Sequence, residues 1–299
     1  SMKLDLLNKN SNIAIILAGI ISILIGVGIA RFSFTSLLPL MLNDFLTIKL
    51  AGFLASINYI GYLCGAIFAI FIRDIYTKIR FFRIGLFLSI ISTIILGLTT
   101  NEFLWIISRL ISGFGTAMIL VVCSSIVMIK LNGENKTKIM GIYFSGIGIA
   151  ITATHLFLTY INVDENLWQN SWLFLSIIGI ICSIYPFYIL SFGNKVDTQI
   201  IKHKINKNIF TPFIIILTIA YFCEGIGFVV QATFLPDIIN KLDGLEGYGN
   251  LAWLFVGIAG VPSSIIWMKL AFKYGSVNMI ITALFIQIIG ILIPTLTNN

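Results

Sequence analysis

Apolar residues run in nine long stretches, at about 12–42, 50–72, 81–100, 102–130, 138–161, 170–192, 209–238, 248–269 and 276–296, with a short polar break between each and the next. At ~1.5 Å rise per residue a helix of roughly twenty such residues crosses the ~30 Å hydrocarbon core of a bilayer. The pattern predicts an all-α polytopic membrane protein with about nine transmembrane helices. A cleavable leader is not expected, because the first stretch runs on through Arg31 to Leu42.

The polar breaks sort by charge. Lys3 and Lys9, then Arg73, Lys78, Arg80 and Arg83, then Lys130, Lys136 and Lys138, then Lys195, Lys202, Lys204 and Lys207, then Lys269 and Lys273 occupy the N-terminus and alternate breaks. The intervening breaks hold only Lys49 and Lys241 among basic residues, but carry Asp44, Glu102, Asp164, Glu165, Asp237, Asp243 and Glu246. Basic residues accumulate on the cytoplasmic side of short loops, so a cytoplasmic N-terminus and an external Asn299 are expected, in a cell (inner) membrane. The net charge of +7 therefore reports topology, and nucleic acid is not expected as a partner.

Composition agrees with the pattern. Hydrophobic residues make up 58% and charged residues 10%, with a mean hydropathy of +1.02, outside the range of soluble domains. Cys64, Cys123, Cys182 and Cys223 all lie in apolar stretches without paired spacing, so neither a disulfide framework nor a metal site is expected, and no cofactor is implied. With two histidines, His155 in a span and His203 in a basic break, no serine or cysteine has a companion base, which argues against an enzyme.

The longest break, 193–208, separates six spans from three and predicts a linker between a bundle over 1–192 and a second over 209–299. A weak echo crosses it: Gly26-Val-Gly28 precedes Leu38-Pro39, as Gly225-Ile-Gly227 precedes Leu235-Pro236. A repeat of six spans each would need roughly 400 residues, so the second bundle is expected to lack three helices.

Charges inside the spans carry the candidate chemistry. Arg31 lies well inside the first stretch, where a lone charge costs roughly 2.5–3.5 kcal/mol and must face a wet cavity or a partner. Its forked donors match a carboxylate or phosphate, which makes it a candidate anion clamp, with Thr35 one turn on; the alternative is a structural arginine on backbone carbonyls. Asn58 and Tyr62 share a face of the second span and are candidates to line the same cavity, or simply interhelical hydrogen-bond formers. In the seventh span Tyr221, Glu224, Phe228 and Gln231 form a polar stripe, with Gln231 a further candidate to bind the substrate. Desolvation and a neighbouring guanidinium act oppositely on a carboxyl, so Glu224 is a candidate proton-coupling group, or else half of a fixed ion pair with an arginine. Arg109 is either its coupling partner or an organiser of helix contact, and His155 reads as a packing residue.

In the fourth span Arg109-Leu-Ile-Ser-Gly113-Phe-Gly115-Thr-Ala117 resembles the R-x-x-x-G-x-G-x-A pattern of the major facilitator superfamily. Arg31-Phe-x-Phe-Thr-x-Leu-Leu-Pro39, Phe234-Leu-Pro236 and Pro262-Ser-Ser-Ile-Ile-Trp267 are similar to its YbfB/YjiJ-type branch. The resemblance covers essentially the whole chain. It implies a major facilitator-type helical bundle and a gating loop between the second and third spans, here carrying Arg73, Asp74 and Lys78 without the family's glycines. It implies secondary transport by alternating access, with the lipid bilayer and a small-molecule substrate as partners. Arg31, Arg109 and Glu224 sum to a positive surplus, which points to a small organic anion, with proton coupling through Glu224. The alternatives are export of apolar or cationic compounds, a ten-helix carrier of another architecture, and a membrane protein that does not transport.

Overall fold

A computed structural model describes residues 5–161, 167–192 and 210–296. Among these, every regular element is helical, and nine helices are long and apolar enough to span a membrane. They are α1 (Asn12–Leu42), α2 (Ile48–Ile70), α3 (Ile75–Leu98), α4 (Glu102–Lys130), α5 (Lys136–Ile161), α6 (Trp168–Ile189), α7 (Pro212–Asn240), α8 (Gly249–Tyr274) and α9 (Ser276–Leu296). The expected linker 193–208, and Asp164 and Glu165, lie outside the described residues.

Capping explains where the helices begin. Thr47, Asp74, Asn101 and Thr211 each accept a hydrogen bond from the backbone N–H three residues on, satisfying a donor that the first turn leaves free. Asp74 corrects the expected third span: its carboxylate accepts from both the N–H and the hydroxyl of Thr77, so α3 starts at Ile75 rather than near residue 81. Lys78, Arg80 and Arg83 are thereby helical, and only Arg73 and the cap itself remain in the short connection. At the other end of the chain α8 continues past Lys269 to Tyr274 and stops where Gly275 adopts φ 91°, a conformation that favours glycine.

α1 is the axis of the bundle. Its amino-terminal part buries Ala14, Ile15, Ala18 and Ile23, and its far part buries Phe34, Leu37, Leu38 and Met41 against Trp105, Trp168 and Trp172. α2 and α4 meet almost backbone to backbone: a Cβ on Gly61 would collide with the carbonyl of Leu110, and one on Gly113 with that of Asn58. α5 and α8 make a second such seam, where Gly148 faces Gly257 and Gly260. Small residues drive this packing because lipid offers no hydrophobic reward for burial, leaving van der Waals contact and hydrogen bonds to hold helices together.

α7 meets α1 and α2 through its carboxyl-terminal half, where Ala232, Thr233 and Pro236 are buried; the half nearer Pro212 is exposed. α9 packs on α8. The four cysteines are free, Cys123 buried within the bundle and Cys64 and Cys223 exposed on its apolar surface.

Candidate functional site

The site grows from a departure from regular helix in α1. Over Leu24–Phe32 the helix widens to i→i+5 bonding, which turns backbone carbonyls out of the usual ladder. A polar stripe on α4, Arg109, Ser112 and Thr116 at i, i+3 and i+7, satisfies them. Thr116 Oγ1 donates to the Gly26 carbonyl at 2.8 Å, Ser112 Oγ to the Ala30 carbonyl at 2.7 Å, and Arg109 Nη1 to the same Ala30 oxygen at 3.1 Å. Within α1, Ser33 Oγ donates to the Gly28 carbonyl at 2.8 Å. α4 has its own wide turn at Met118–Val122, and it abuts α1 there: a Cβ on Gly26 would meet the Ile119 side chain at 2.7 Å. Stretches of this kind, held by side chains from a neighbour, mark places where a helix is set for function rather than for its own stability.

Arg31, at the end of the widened turn, and Arg109, on regular helix of α4, sit in different surroundings. Arg109 is 2% exposed, its guanidinium stacked over Phe34 at 4.5 Å and bonded to backbone. Arg31 is only half-buried, and its guanidinium sits over Tyr59 at 4.7 Å, Phe32 at 5.1 Å and Tyr62 at 5.5 Å. The Nε of each arginine is without a hydrogen-bond partner. Arg31, Thr35, Asn58, Tyr59, Arg109 and Thr233 share one small cavity, whose water-sized space is about 10 Å³, room for no more than about one water. No carboxylate lines it. The two arginines are close enough to act on one another electrostatically, so the cavity carries concentrated, uncompensated positive charge.

Several expected site residues come together here and others do not. Arg31, Thr35 and Asn58 line the cavity, and Tyr62 stacks on Arg31 at its edge, with Tyr221 of α7 within electrostatic reach of Tyr62. Thr35 spends its hydroxyl proton on the Ala232 carbonyl of α7, tying the two helices. Asn58 Nδ2 donates to the Arg109 carbonyl at 3.1 Å and to Ser112 Oγ at 3.3 Å, cross-linking α2 to α4. Gln231 immediately precedes Ala232 but is outside the lining. Glu224 is not paired with an arginine: among the described residues the ion pair found is Lys241 with Asp237, whereas Glu224 accepts from Gln287 Nε2 of α9 at 3.3 Å. Of the expected gating residues, Asp74 caps α3, Arg73 is exposed and Lys78 donates to Ser125 Oγ of α4 at 2.5 Å. His155 shares a 2.7 Å hydrogen bond with Ser36, joining α5 to α1.

Tyr59, Ser112, Thr116 and Thr233 belong to the site without having been expected there. Ser112 and Thr116 were visible as a polar stripe in register with Arg109; Tyr59 had no signal beyond its place next to Asn58. No group of histidine, cysteine and acidic side chains with metal-binding geometry occurs among the described residues.

A family described as "Uncharacterised MFS-type transporter YbfB" matches residues 23–299. No curated protein matches the chain.

Proposed function

This chain belongs to the YbfB-type family of major facilitator transporters, and from that premise we propose that it is a secondary active carrier of a small organic anion, with Arg31 as the substrate's anchor. The observation that carries the reading is the contrast between the two arginines. Both line the carboxylate-free cavity and both keep Nε unpartnered, but Arg109 is 2% exposed and donates from Nη1 to the Ala30 carbonyl while stacking on Phe34, whereas Arg31 is only half-buried and rests against the rings of Tyr59, Phe32 and Tyr62. A carboxylate or phosphate brought to Arg31 gains forked, charge-assisted hydrogen bonds and neutralises charge that the protein leaves bare.

The cavity as it stands is too small for a metabolite, so substrate entry requires α7 to move away from α1 and α2. The contacts to be broken are few and lie at one end: Thr35 to the Ala232 carbonyl, and Phe234 against Gly52 at the approach of α7 to α2. α5 and α8, joined along their glycine seam, supply the hinge about which such a movement turns. With the N-terminus cytoplasmic, as the charge distribution implies, the closed end is external and the exposed half of α7 lies toward the cytoplasm. The short connection with Arg73 and the Lys78–Ser125 contact then belong to the cytoplasmic gate.

Glu224 is the proton carrier in this reading. Its hydrogen-bond neighbour Gln287 is neutral, and it forms no ion pair with a described basic residue. In this reading the bundle over 1–192 and the second over 209–299 are the units that move, with α7–α9 travelling together.

Uptake into proteoliposomes of labelled mono- and dicarboxylates and phosphate esters, with organic cations as competitors, tests the substrate class. Competition among anions and none by cations supports the reading. Competition by cations that is lost in Glu224→Gln would replace it with export of cationic compounds.

A further inference from the structure

A second cluster of cations stands far from Arg31, at the amino-terminal end of the bundle, in a 420 Å³ cleft between α3 and α6. Lys9 and Arg83 line it together with Ser183, Ile184, Phe187, Tyr188 and Ser191. Lys9 Nζ donates to Ser191 Oγ at 2.9 Å and lies 4.2 Å from the Tyr188 ring centroid. Lys130 Nζ, reaching in from α4, donates to the Ser191 carbonyl at 2.9 Å. The Arg83 guanidinium stacks on Phe187 at 3.9 Å and donates from Nη2 to the Phe187 carbonyl at 3.1 Å, while its buried Nε has no partner.

Every partner of these three cations is neutral, and no carboxylate lines the cleft. Cations at a membrane interface are normally solvated, paired or placed against phosphate. Here two of them face a common space, and a fork donor is left over. From that charged end the wall continues as an exposed apolar rib of α6, Phe187, Ile184 and Ile180 being 50%, 67% and 48% exposed. A ligand matching both parts has an anionic head and a long apolar tail. The apolar wall, open along the flank of the bundle, favours a lipid over a soluble anion.

We propose that this cleft is a binding site for one anionic phospholipid, its phosphate held between Lys9 and Arg83 and an acyl chain lying along Ile184 and Ile180. The aromatic rings of Tyr188 and Phe187 hold the two cations by cation–π contact, so that their donors point at the headgroup rather than into solvent. The site is independent of the transported substrate and of the Arg31 cavity.

Native mass spectrometry of the full chain, delipidated in detergent and offered phosphatidylglycerol and phosphatidylcholine of identical acyl chains, tests it. The parent is expected to retain phosphatidylglycerol preferentially, and Lys9→Gln and Arg83→Gln each to lower the phosphatidylglycerol to phosphatidylcholine ratio about fivefold. Lys49→Gln, a basic residue at the opposite end, leaves the ratio unchanged. Lys9 lies outside the spans, so its variant folds even where Arg83→Gln does not. Equal retention of the two lipids by the parent, or an unchanged ratio in Lys9→Gln, overturns the proposal. Displacement of the bound lipid by millimolar glycerol phosphate would also overturn it, by assigning the site to a soluble anion.

Discussion

The two donors on the Ala30 carbonyl give a quantitative test of how α4 holds the widened turn of α1. Arg109→Met removes one of them and a cation–π contact, but also removes a charge that no acid compensates. A charge-assisted hydrogen bond contributes about 1.5–3 kcal/mol, and relief from burying the charge offsets much of it, so a net loss of about 0–2 kcal/mol is expected. Ser112→Ala removes the other donor and costs about 1 kcal/mol. In either single variant the carbonyl keeps one partner. In the double variant it loses both side-chain donors, and a carbonyl left under-satisfied in an apolar interior adds about 1–3 kcal/mol beyond the sum of the two. Reversible unfolding of the parent, both single variants and the double variant in mixed micelles measures this coupling. Additivity within about 0.5 kcal/mol would show that the two side chains do not share the Ala30 oxygen in any way that matters, and would refute the account of the turn.

The glycine seam makes a sharper steric prediction: a Cβ at Gly148 would meet the backbone of Gly260 at 2.4 Å, so Gly148→Ala should cost about 1–3 kcal/mol by thermal melting, whereas Gly225→Ala, with nothing within 4 Å, should be neutral. Glu224→Gln should retain substrate exchange but lose accumulation driven by an imposed pH gradient; accumulation at the parent's level would remove Glu224 from proton coupling. Thr35→Val, which keeps the volume but not the donor to Ala232, should loosen the α1–α7 contact and raise alkylation of a cysteine placed at Thr233 about fivefold, as expected for the loss of ~1 kcal/mol; unchanged labelling would show that this bond does not hold the closed end.

What could be read from the chain follows from how local each signal is. The nine spans were legible because hydropathy over twenty residues needs no tertiary information, and the observed helices follow them closely. The exceptions are informative. α3 begins six residues before the expected start at 81, because a run of basic residues resembles a loop until Asp74 is recognised as a cap. α8 extends to Tyr274 because Lys269 and Lys273 can lie on a helix whose end is at the interface. Arg31 as a cavity residue was legible from the cost of a charge in hydrocarbon. The widened turns of α1 and α4 were not, since they depend on donors supplied across the helix pair. Nor was the pairing of Glu224: sequence alone offered an arginine as its partner, and only the packing of α9 on the bundle brings Gln287 to it. Tyr59 escaped notice because an aromatic residue in an apolar helix looks like any other until its ring is found over a guanidinium.

The claim at the centre of this account is that Arg31 binds the anionic part of the substrate while Arg109 does not. Affinity for the best transported anion, measured on the purified protein for the parent, Arg31→Lys, Arg31→Gln and Arg109→Lys, addresses it directly. Loss of forked bonds worth about 1.5–3 kcal/mol should weaken binding roughly 10- to 150-fold in Arg31→Gln, and less in Arg31→Lys, which keeps the charge, while a folded Arg109→Lys protein should bind within about threefold of the parent. Parent-like affinity in both Arg31 variants would contradict the claim.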